Sequence, residues 1–129
     1  MNPVDVAYDN GKGEVFVANE RSNNVSVISD VSNKVVATIP VGTGPDGAAY
    51  DSRKGEVFVT NYGSSNVSVI SDASNAVVTT IPVGTGPTGV VYDSGKGEAF
   101  IINSGSNNVS VISDASNTVV ATIPVGSNP

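Results

Sequence analysis

The chain has 129 residues, of which 39% are hydrophobic but only 5% aromatic, and it contains no Cys, His or Trp. Its formal charge of −6 disfavours nucleic acid and anionic lipid as partners, because both are recognised by basic surfaces. The lack of Cys excludes disulfides, thiolate metal ligands and thiol nucleophiles.

The chain consists of three similar units. Proline recurs at positions 3, 45, 87 and 129, a constant interval of 42 residues. Consecutive units agree at roughly seven positions in ten, without insertions, and such a period is typical of solenoids, propellers and arrays. We therefore place three units at 3–44, 45–86 and 87–128 within a single segment, 1–129. The heptapeptide NVSVISD occurs once in each unit, at 24–30, 66–72 and 108–114.

Each unit contains four stretches that are rich in Val, Ile and Thr. In the second unit these are PDGAAYD at 45–51, VFVTN at 57–61, NVSVIS at 66–71 and AVVTTIPV at 76–83. β-Branched residues favour pleated sheets, and the Gly, Asn, Asp and Ser residues between the stretches are typical of tight turns. Four antiparallel strands per 40–45 residues is about the size of a propeller blade. The predicted fold is an all-β β-propeller segment of three four-stranded antiparallel blades.

Several motifs are similar to those of a known family. VFVTN at 57–61, NVSVISD at 66–72 and VVTTIPVGTGPTGVVYD at 77–93 resemble the YVTN-type β-propeller repeat of prokaryotic surface and surface-layer proteins. The resemblance covers essentially the whole chain, although Phe replaces the signature Tyr in all three units and the third reads FIIN. It implies a structural or adhesive role without catalysis, and an extracellular or cell-surface location for the parent protein.

Three blades do not close a ring, since propellers typically have about four to eight. An open arc exposes two apolar blade faces, which proteins in solution avoid. We therefore predict a homo-oligomer, with two chains head to tail forming a six-bladed ring. The chain begins and ends at the same phase of the repeat, which is typical of a unit taken from, or destined for, a longer array. A piece of a longer array and an assembly of more chains remain alternatives. The start of the sequence shows no charged segment followed by an apolar stretch, so we expect no signal peptide in it, and no apolar run approaches the roughly 18–20 residues that span a bilayer.

Positions that differ between the units are candidate binding residues. One group follows the second strand, and the other follows the proline that opens each unit; both are predicted to lie in loops at one end of the blades. The candidate binding face consists of Asp5, Glu20, Arg21, Asp46, Tyr62, Thr88 and Ser104. Its ligand would be a protein or a glycan. Neutral variation of exposed loops is the alternative interpretation.

Repeated Asn and Asp residues have both structural and functional interpretations. An N-V-S sequon, a candidate glycosylation site if the parent protein is exported, begins at Asn24, Asn66 and Asn108. Turn residues whose side chains bond the nearby backbone are predicted at Asn19, Asn61 and Asn103, and at Asp30, Asp72 and Asp114.

The sequence favours neither metal binding nor catalysis. The segment 9–14 offers closely spaced oxygens, but Lys12 stands where a calcium loop needs an oxygen ligand, so we predict a hairpin turn and no cofactor. Without His or Cys, a serine nucleophile lacks its usual base. A lactonase-like hydrolase is the third hypothesis. It ranks behind an adhesive surface module and behind a self-assembling propeller fragment, natural or engineered, that has no ligand.

Overall fold

The computed structural model describes residues 2–129 and contains twelve strands. They are β1 (Pro3–Asp9), β2 (Glu14–Asn19), β3 (Asn24–Ser29), β4 (Lys34–Pro40), β5 (Pro45–Asp51), β6 (Glu56–Asn61), β7 (Asn66–Ser71), β8 (Ala76–Pro82), β9 (Pro87–Asp93), β10 (Glu98–Asn103), β11 (Asn108–Ser113) and β12 (Thr118–Pro124). None of the described residues belongs to a helix that is long and apolar enough to cross a membrane.

Consecutive sets of four strands form three antiparallel sheets, in the orders β1-β2-β3-β4, β5-β6-β7-β8 and β9-β10-β11-β12. We call these sheets blade 1, blade 2 and blade 3. They confirm the predicted architecture of three four-stranded blades. The predicted strand bounds are close to those observed. One difference is Glu56, which we predicted to lie in a turn; it pairs with Asp51 and therefore begins β6.

Four-residue turns join the strands within each blade. Each turn ends on a residue in the left-handed region of backbone conformation, as Gly13 (φ 66°), Asn23 (φ 56°) and Asn33 (φ 55°) do in blade 1. Gly and Asn adopt this conformation at little cost, which explains why the sequence repeats them there. Ser65 (φ 57°) is the exception, since it takes the place of Asn in blade 2.

The hydrophobic core lies between the blades. One cluster joins blade 1 to blade 2 and the other joins blade 2 to blade 3, so that blade 2 is covered on both faces. The first cluster contains Ala7, Phe16, Val25, Val27 and Ile39 of blade 1 and Ala48, Val57, Val59 and Ile70 of blade 2. Every blade therefore needs apolar side chains on both faces, and strands such as NVSVIS provide them by placing the two Val residues on one face and Ile on the other.

Two blade faces have no neighbouring blade among residues 2–129. On blade 3, Val91 is 62% exposed, whereas the equivalent Ala7 of blade 1 is 9% exposed. On blade 1, Val6 is 55% exposed, whereas the equivalent Ala48 of blade 2 is 8% exposed. An apolar depression of about 470 Å³ opens on the uncovered face of blade 3, beside Phe100. The structure thus has the two exposed apolar faces that an open arc of three blades implies.

Candidate binding face and blade junctions

The links between blades and the turns after each second strand lie at the same end of the blades, which we call the loop end. The backbone N–H of Tyr62 donates to the carbonyl of Gly44 at 2.8 Å, and that of Gly63 donates to the carbonyl of Thr43 at 2.9 Å. The corresponding bond in blade 3 joins Ser104 to Gly86 at 3.0 Å. The predicted clustering of these two kinds of segment is therefore confirmed.

Three of the candidate binding residues do not lie in loops, and that part of the prediction is wrong. Asp5, Asp46 and Thr88 belong to the first strands β1, β5 and β9. Asp46 lies at an irregularity in the ladder, where the pairing of β5 with β6 shifts between Pro45 and Gly47. Such a bulge lets the strand continue pairing although the sequence around it looks like a turn.

Asp5 and Thr88 connect neighbouring blades. One carboxylate oxygen of Asp5 accepts the N–H of Val6 at 2.8 Å, and the other accepts the N–H of Ala48 in blade 2 at 3.0 Å. At the next junction Thr60 contributes instead, since its hydroxyl donates to the carbonyl of Thr88 at 2.6 Å. The two junctions thus use different side chains, Asp5 and Thr60, to bond backbone groups of the neighbouring blade, and Thr88 contributes only its backbone carbonyl.

The other four candidate residues, Glu20, Arg21, Tyr62 and Ser104, lie in the turns after the second strands, as predicted. The side chain of Tyr62 is 52% exposed. Its ring lies against Gly86, where a Cβ atom would sit 3.1 Å from Cε2 of Tyr62. Glycine at this position of the link thus allows an aromatic side chain at the loop end.

Three carboxylates meet at the loop end of the junction between blades 1 and 2. The pKa of Asp46 is raised, first by its partial burial and then by the negative charges of Glu20 and Asp5. The side chain of Glu20 also accepts a 2.7 Å hydrogen bond from the amide of Asn2. This part of the candidate binding face is therefore acidic, whereas the neighbouring part carries the exposed ring of Tyr62.

Tyrosine–aspartate pairs occupy the opposite end of every blade. Tyr8 donates to Asp30 at 3.0 Å, and the same bond recurs between Tyr50 and Asp72 at 3.2 Å and between Tyr92 and Asp114 at 2.8 Å. These aspartates lie in turns, as predicted, but their side chains bond the tyrosines and not the nearby backbone. Serines bond the nearby backbone instead, as the hydroxyl of Ser71 does in accepting the N–H of Ala73 at 3.2 Å.

Each internal junction also contains a buried aspartate and a lysine. Asp9 is fully buried, and its Oδ1 accepts the N–H groups of Gly11 and Lys12 at 2.9 and 3.1 Å. Segment 9–14 is thus the predicted hairpin turn. The ammonium of Lys12 crosses to blade 2 and donates to the carbonyl of Asp72 at 2.8 Å. Lys54 donates to the carbonyl of Asp114 in the same way, at 2.7 Å.

The carboxyl groups at these junctions lie close together. The pKa of Asp51 is raised by burial and by Asp114 beside it, and the nearby hydroxyl of Tyr92 opposes this shift only in part. The pKa of Asp72 is raised by burial and by Asp9. Burial raises the pKa of Tyr92 as well. The second carboxylate oxygens of Asp9 and Asp51 are buried and have no hydrogen-bond partner among the described residues.

The asparagines that end the second strands bond side chains and not the backbone. In blade 2 the amide of Asn61 donates to the side-chain oxygen of Asn66 at 2.8 Å and to the hydroxyl of Ser68 at 2.9 Å. In the other blades, the amides of Asn19 and Asn103 donate in the same way to the side-chain oxygens of Asn24 and Asn108. The three sequon asparagines are half-buried, and their amide oxygens accept these bonds. Glycosylation at these positions stays a prediction.

The part of the chain that the structure describes, residues 2–129, contains no group of three or more His, Cys, Asp or Glu residues arranged to hold a metal ion.

The structure is similar to solved β-propeller proteins. Kuenenia stuttgartiensis hydrazine synthase matches with a TM-score of 0.93 and 21% identity, over 99% of this chain and 37% of that one. Apo AztD from Citrobacter koseri matches with a TM-score of 0.78 and 11% identity, over 96% of this chain and 35% of that one. The chain thus spans little more than a third of the length of either protein. No protein-family model matches it, and the comparison with curated proteins found no relative. The chain is a three-bladed β-propeller segment.

Proposed function

We propose that the chain is a structural propeller segment that completes its ring by pairing with a second copy of itself. The observation that carries this proposal concerns the two uncovered faces. The face of blade 3 corresponds in the repeat to the faces that pack against a following blade, and the face of blade 1 corresponds to those that pack against a preceding blade. Two copies joined head to tail would supply six blades, within the range of roughly four to eight that propellers use.

The equivalence holds residue by residue. On the uncovered face of blade 3, Phe100 occupies the position of Phe16 and Phe58, and both of those rings are fully buried under the following blade. On the uncovered face of blade 1, Ile28 occupies the position of Ile70, which is fully buried against the preceding blade. Packing blade 3 of one copy on blade 1 of another would remove both apolar faces from water, which is the driving force for association.

The mass of the chain in solution tests this proposal. Light scattering coupled to size exclusion, over a dilution series, is expected to give twice the chain mass of 13.0 kDa. Val91→Asp places a charge on the uncovered face of blade 3 and is expected to give monomers. Val78→Asp is the matched control, because Val78 is exposed on the outer strand of the covered blade 2 and is not part of a junction. A wild-type chain that remains at 13.0 kDa throughout would overturn the proposal.

We also propose, as a second candidate, that the loop end binds a protein or a glycan at a cell surface. The exposed aromatic side chain of Tyr62 supports this role, because it replaces Glu20 of blade 1 and Ser104 of blade 3 at one turn position while the neighbouring strands repeat almost unchanged. Interfaces are enriched in tyrosine. The resemblance to YVTN repeats of prokaryotic surface proteins supports the cell-surface location.

Glycan and protein arrays test this second role. The wild-type chain is compared with a variant that carries Glu20→Ala, Arg21→Ala and Tyr62→Ala, while Val36→Ala serves as an exposed control on blade 1. Binding that is lost only in the triple variant supports the role. Binding that survives in the triple variant, or no binding to either array, argues against it.

We propose no catalytic role. The sequence lacks His and Cys, the residues that most often activate a hydrolytic nucleophile. Turnover of lactone or ester substrates above the rate in buffer would overturn this proposal.

A further inference from the structure

The two internal junctions are closed by the same polar contact. A lysine in the turn after the first strand of one blade donates to a backbone carbonyl in the turn after the third strand of the next blade. Lys12 bonds the carbonyl of Asp72 at 2.8 Å, and Lys54 bonds that of Asp114 at 2.7 Å. A bond from an ammonium group to a carbonyl is a charge-assisted hydrogen bond and is stronger than a neutral one.

The two terminal blades each carry one unused half of this contact. Lys96 of blade 3 stands at the position of Lys12 and Lys54, and its side chain is 69% exposed, with the ammonium 3.7 Å from Glu98. Asp30 of blade 1 stands at the position of Asp72 and Asp114. No lysine among residues 2–129 donates to its carbonyl.

The pair formed by a buried aspartate and the tyrosine of the following blade is incomplete on the two terminal blades as well. Asp9 and Asp51 are fully buried beside the tyrosine of the following blade. The equivalent Asp93 on blade 3 is partly exposed, because no blade follows it. The matching tyrosine is Tyr8 of blade 1, which is exposed and bonded to Asp30.

We propose that these halves meet between copies of the chain. Lys96 of one copy donates to the backbone carbonyl of Asp30 in the second copy, and Asp93 of the first lies beside Tyr8 of the second. This inference rests on the proposed head-to-tail self-association and adds the polar contacts that hold blade 3 of one copy against blade 1 of the other. In a ring of two copies the contact forms twice.

These polar groups favour packing of blade 3 on blade 1 over the two symmetric alternatives, blade 3 on blade 3 and blade 1 on blade 1. Two copies joined through their blade 3 faces would bring Lys96 and Asp93 of both chains together and would offer neither lysine the carbonyl of Asp30. Two copies joined through their blade 1 faces would bring together two Asp30 carbonyls, while the lysine of that blade, Lys12, already bonds Asp72 of blade 2. Of these arrangements, only head-to-tail packing pairs Lys96 with the carbonyl of Asp30 and Asp93 with Tyr8, as the equivalent residues pair at the internal junctions.

Lys96→Met tests the contact, because methionine retains an unbranched apolar side chain and removes the ammonium group. Sedimentation equilibrium on the whole chain is expected to show a dissociation constant about 100-fold higher than in the wild type, since one charge-assisted bond corresponds to about tenfold and the ring has two. Lys12→Met is the matched control. It removes the same bond inside the chain and is expected to change the dissociation constant by no more than about twofold.

Tyr8→Phe is a second variant, which keeps the ring in place and removes the hydroxyl beside Asp93 of the other copy. It too is expected to raise the dissociation constant, by about tenfold for the pair of junctions. A wild-type dimer whose dissociation constant is the same in the Lys96→Met and Tyr8→Phe variants would overturn the proposed contact and leave self-association standing. A wild-type chain that does not associate at all would overturn both.

Discussion

The hydroxyl of Thr60 donates a 2.6 Å hydrogen bond to the backbone carbonyl of Thr88, across the junction between blades 2 and 3. The same hydroxyl accepts the N–H of Gly47 at 2.8 Å, within blade 2. Ala18 and Ile102 occupy the equivalent positions of the other blades and can do neither. One side chain thus satisfies two backbone groups at a place where the fold brings the first strands of two blades together.

Removal of this hydroxyl is expected to destabilise the chain. Thr60→Val keeps the shape of the side chain but leaves the N–H of Gly47 and the carbonyl of Thr88 without that partner in a buried position. We expect a loss of about 2 kcal/mol in the free energy of unfolding, measured by urea titration. Thr80→Val, on an exposed position of β8, is the control and is expected to change stability by less than about 0.5 kcal/mol. Equal effects of the two variants would contradict the role of Thr60.

The lysine contacts at the internal junctions are expected to contribute to stability even when the chain is monomeric. Lys54→Met removes the bond to the carbonyl of Asp114 and is expected to lower the free energy of unfolding by about 1.5 kcal/mol. Lys34→Met, at an exposed position that begins β4, is expected to be nearly neutral. Thermal unfolding in dilute solution compares them. A Lys54 variant as stable as the Lys34 variant would show that water replaces the ammonium group at no cost.

Ser65→Asn is expected to stabilise blade 2. Ser65 has a positive φ of 57°, a conformation that asparagine adopts more readily than serine. At the equivalent positions, the side chain of Asn23 accepts the N–H of Gly44 at 2.9 Å, and that of Asn107 accepts the N–H of Asn128 at 2.8 Å. Asparagine at 65 would offer the same bond to Gly86, and we expect a gain of about 1 kcal/mol.

The reverse substitution provides the control for this prediction. Asn23→Ser removes the bond to Gly44 and should destabilise blade 1 by a similar amount, in the same urea titration. If Ser65→Asn destabilises the chain while Asn23→Ser has no effect, the turn conformation does not determine the stability of these hairpins.

Stability is expected to depend on pH through the carboxyl pairs at the junctions. The pKa of Asp51 is raised above its usual value of 3.8, mainly by burial and further by Asp114, so the folded chain binds this proton more tightly than the unfolded chain. The resulting contribution is fully present below pH 3.8 and is lost as the pH rises through the folded-state pKa. Asp72 is raised in the same direction by burial and Asp9.

Asp51→Asn isolates this effect. The amide oxygen can still accept the N–H groups of Arg53 and Lys54, which Asp51 bonds at 2.9 and 3.2 Å, while the amide nitrogen can donate towards Asp114. At neutral pH we expect the variant to be more stable than the wild type by about 1 kcal/mol. Near pH 4 the difference should shrink, because the wild-type carboxyl group is then increasingly protonated. A difference that is the same at both pH values would contradict the raised pKa.

The sequence by itself determined the number of blades, the strands and the turns. Segments such as NVSVIS repeat at a constant interval, and their β-branched residues and the Gly or Asn at the ends of the turns act through local backbone preferences that need no knowledge of distant partners. The apolar residues on both sides of each strand also implied that every blade packs between two others, and hence that the first and last faces would be uncovered.

Only the tertiary structure decided what the variable and acidic residues do. Asp5 and Thr88 appeared to be loop residues free to vary, but their hydrogen-bond partners Ala48 and Thr60 lie in neighbouring blades. Asp30 is a turn residue, as the sequence predicts, but its side chain accepts a bond from Tyr8, 22 residues earlier. A repeat pattern shows which positions are constant within the chain. It does not show which of them meet, because that depends on how one sheet packs against the next.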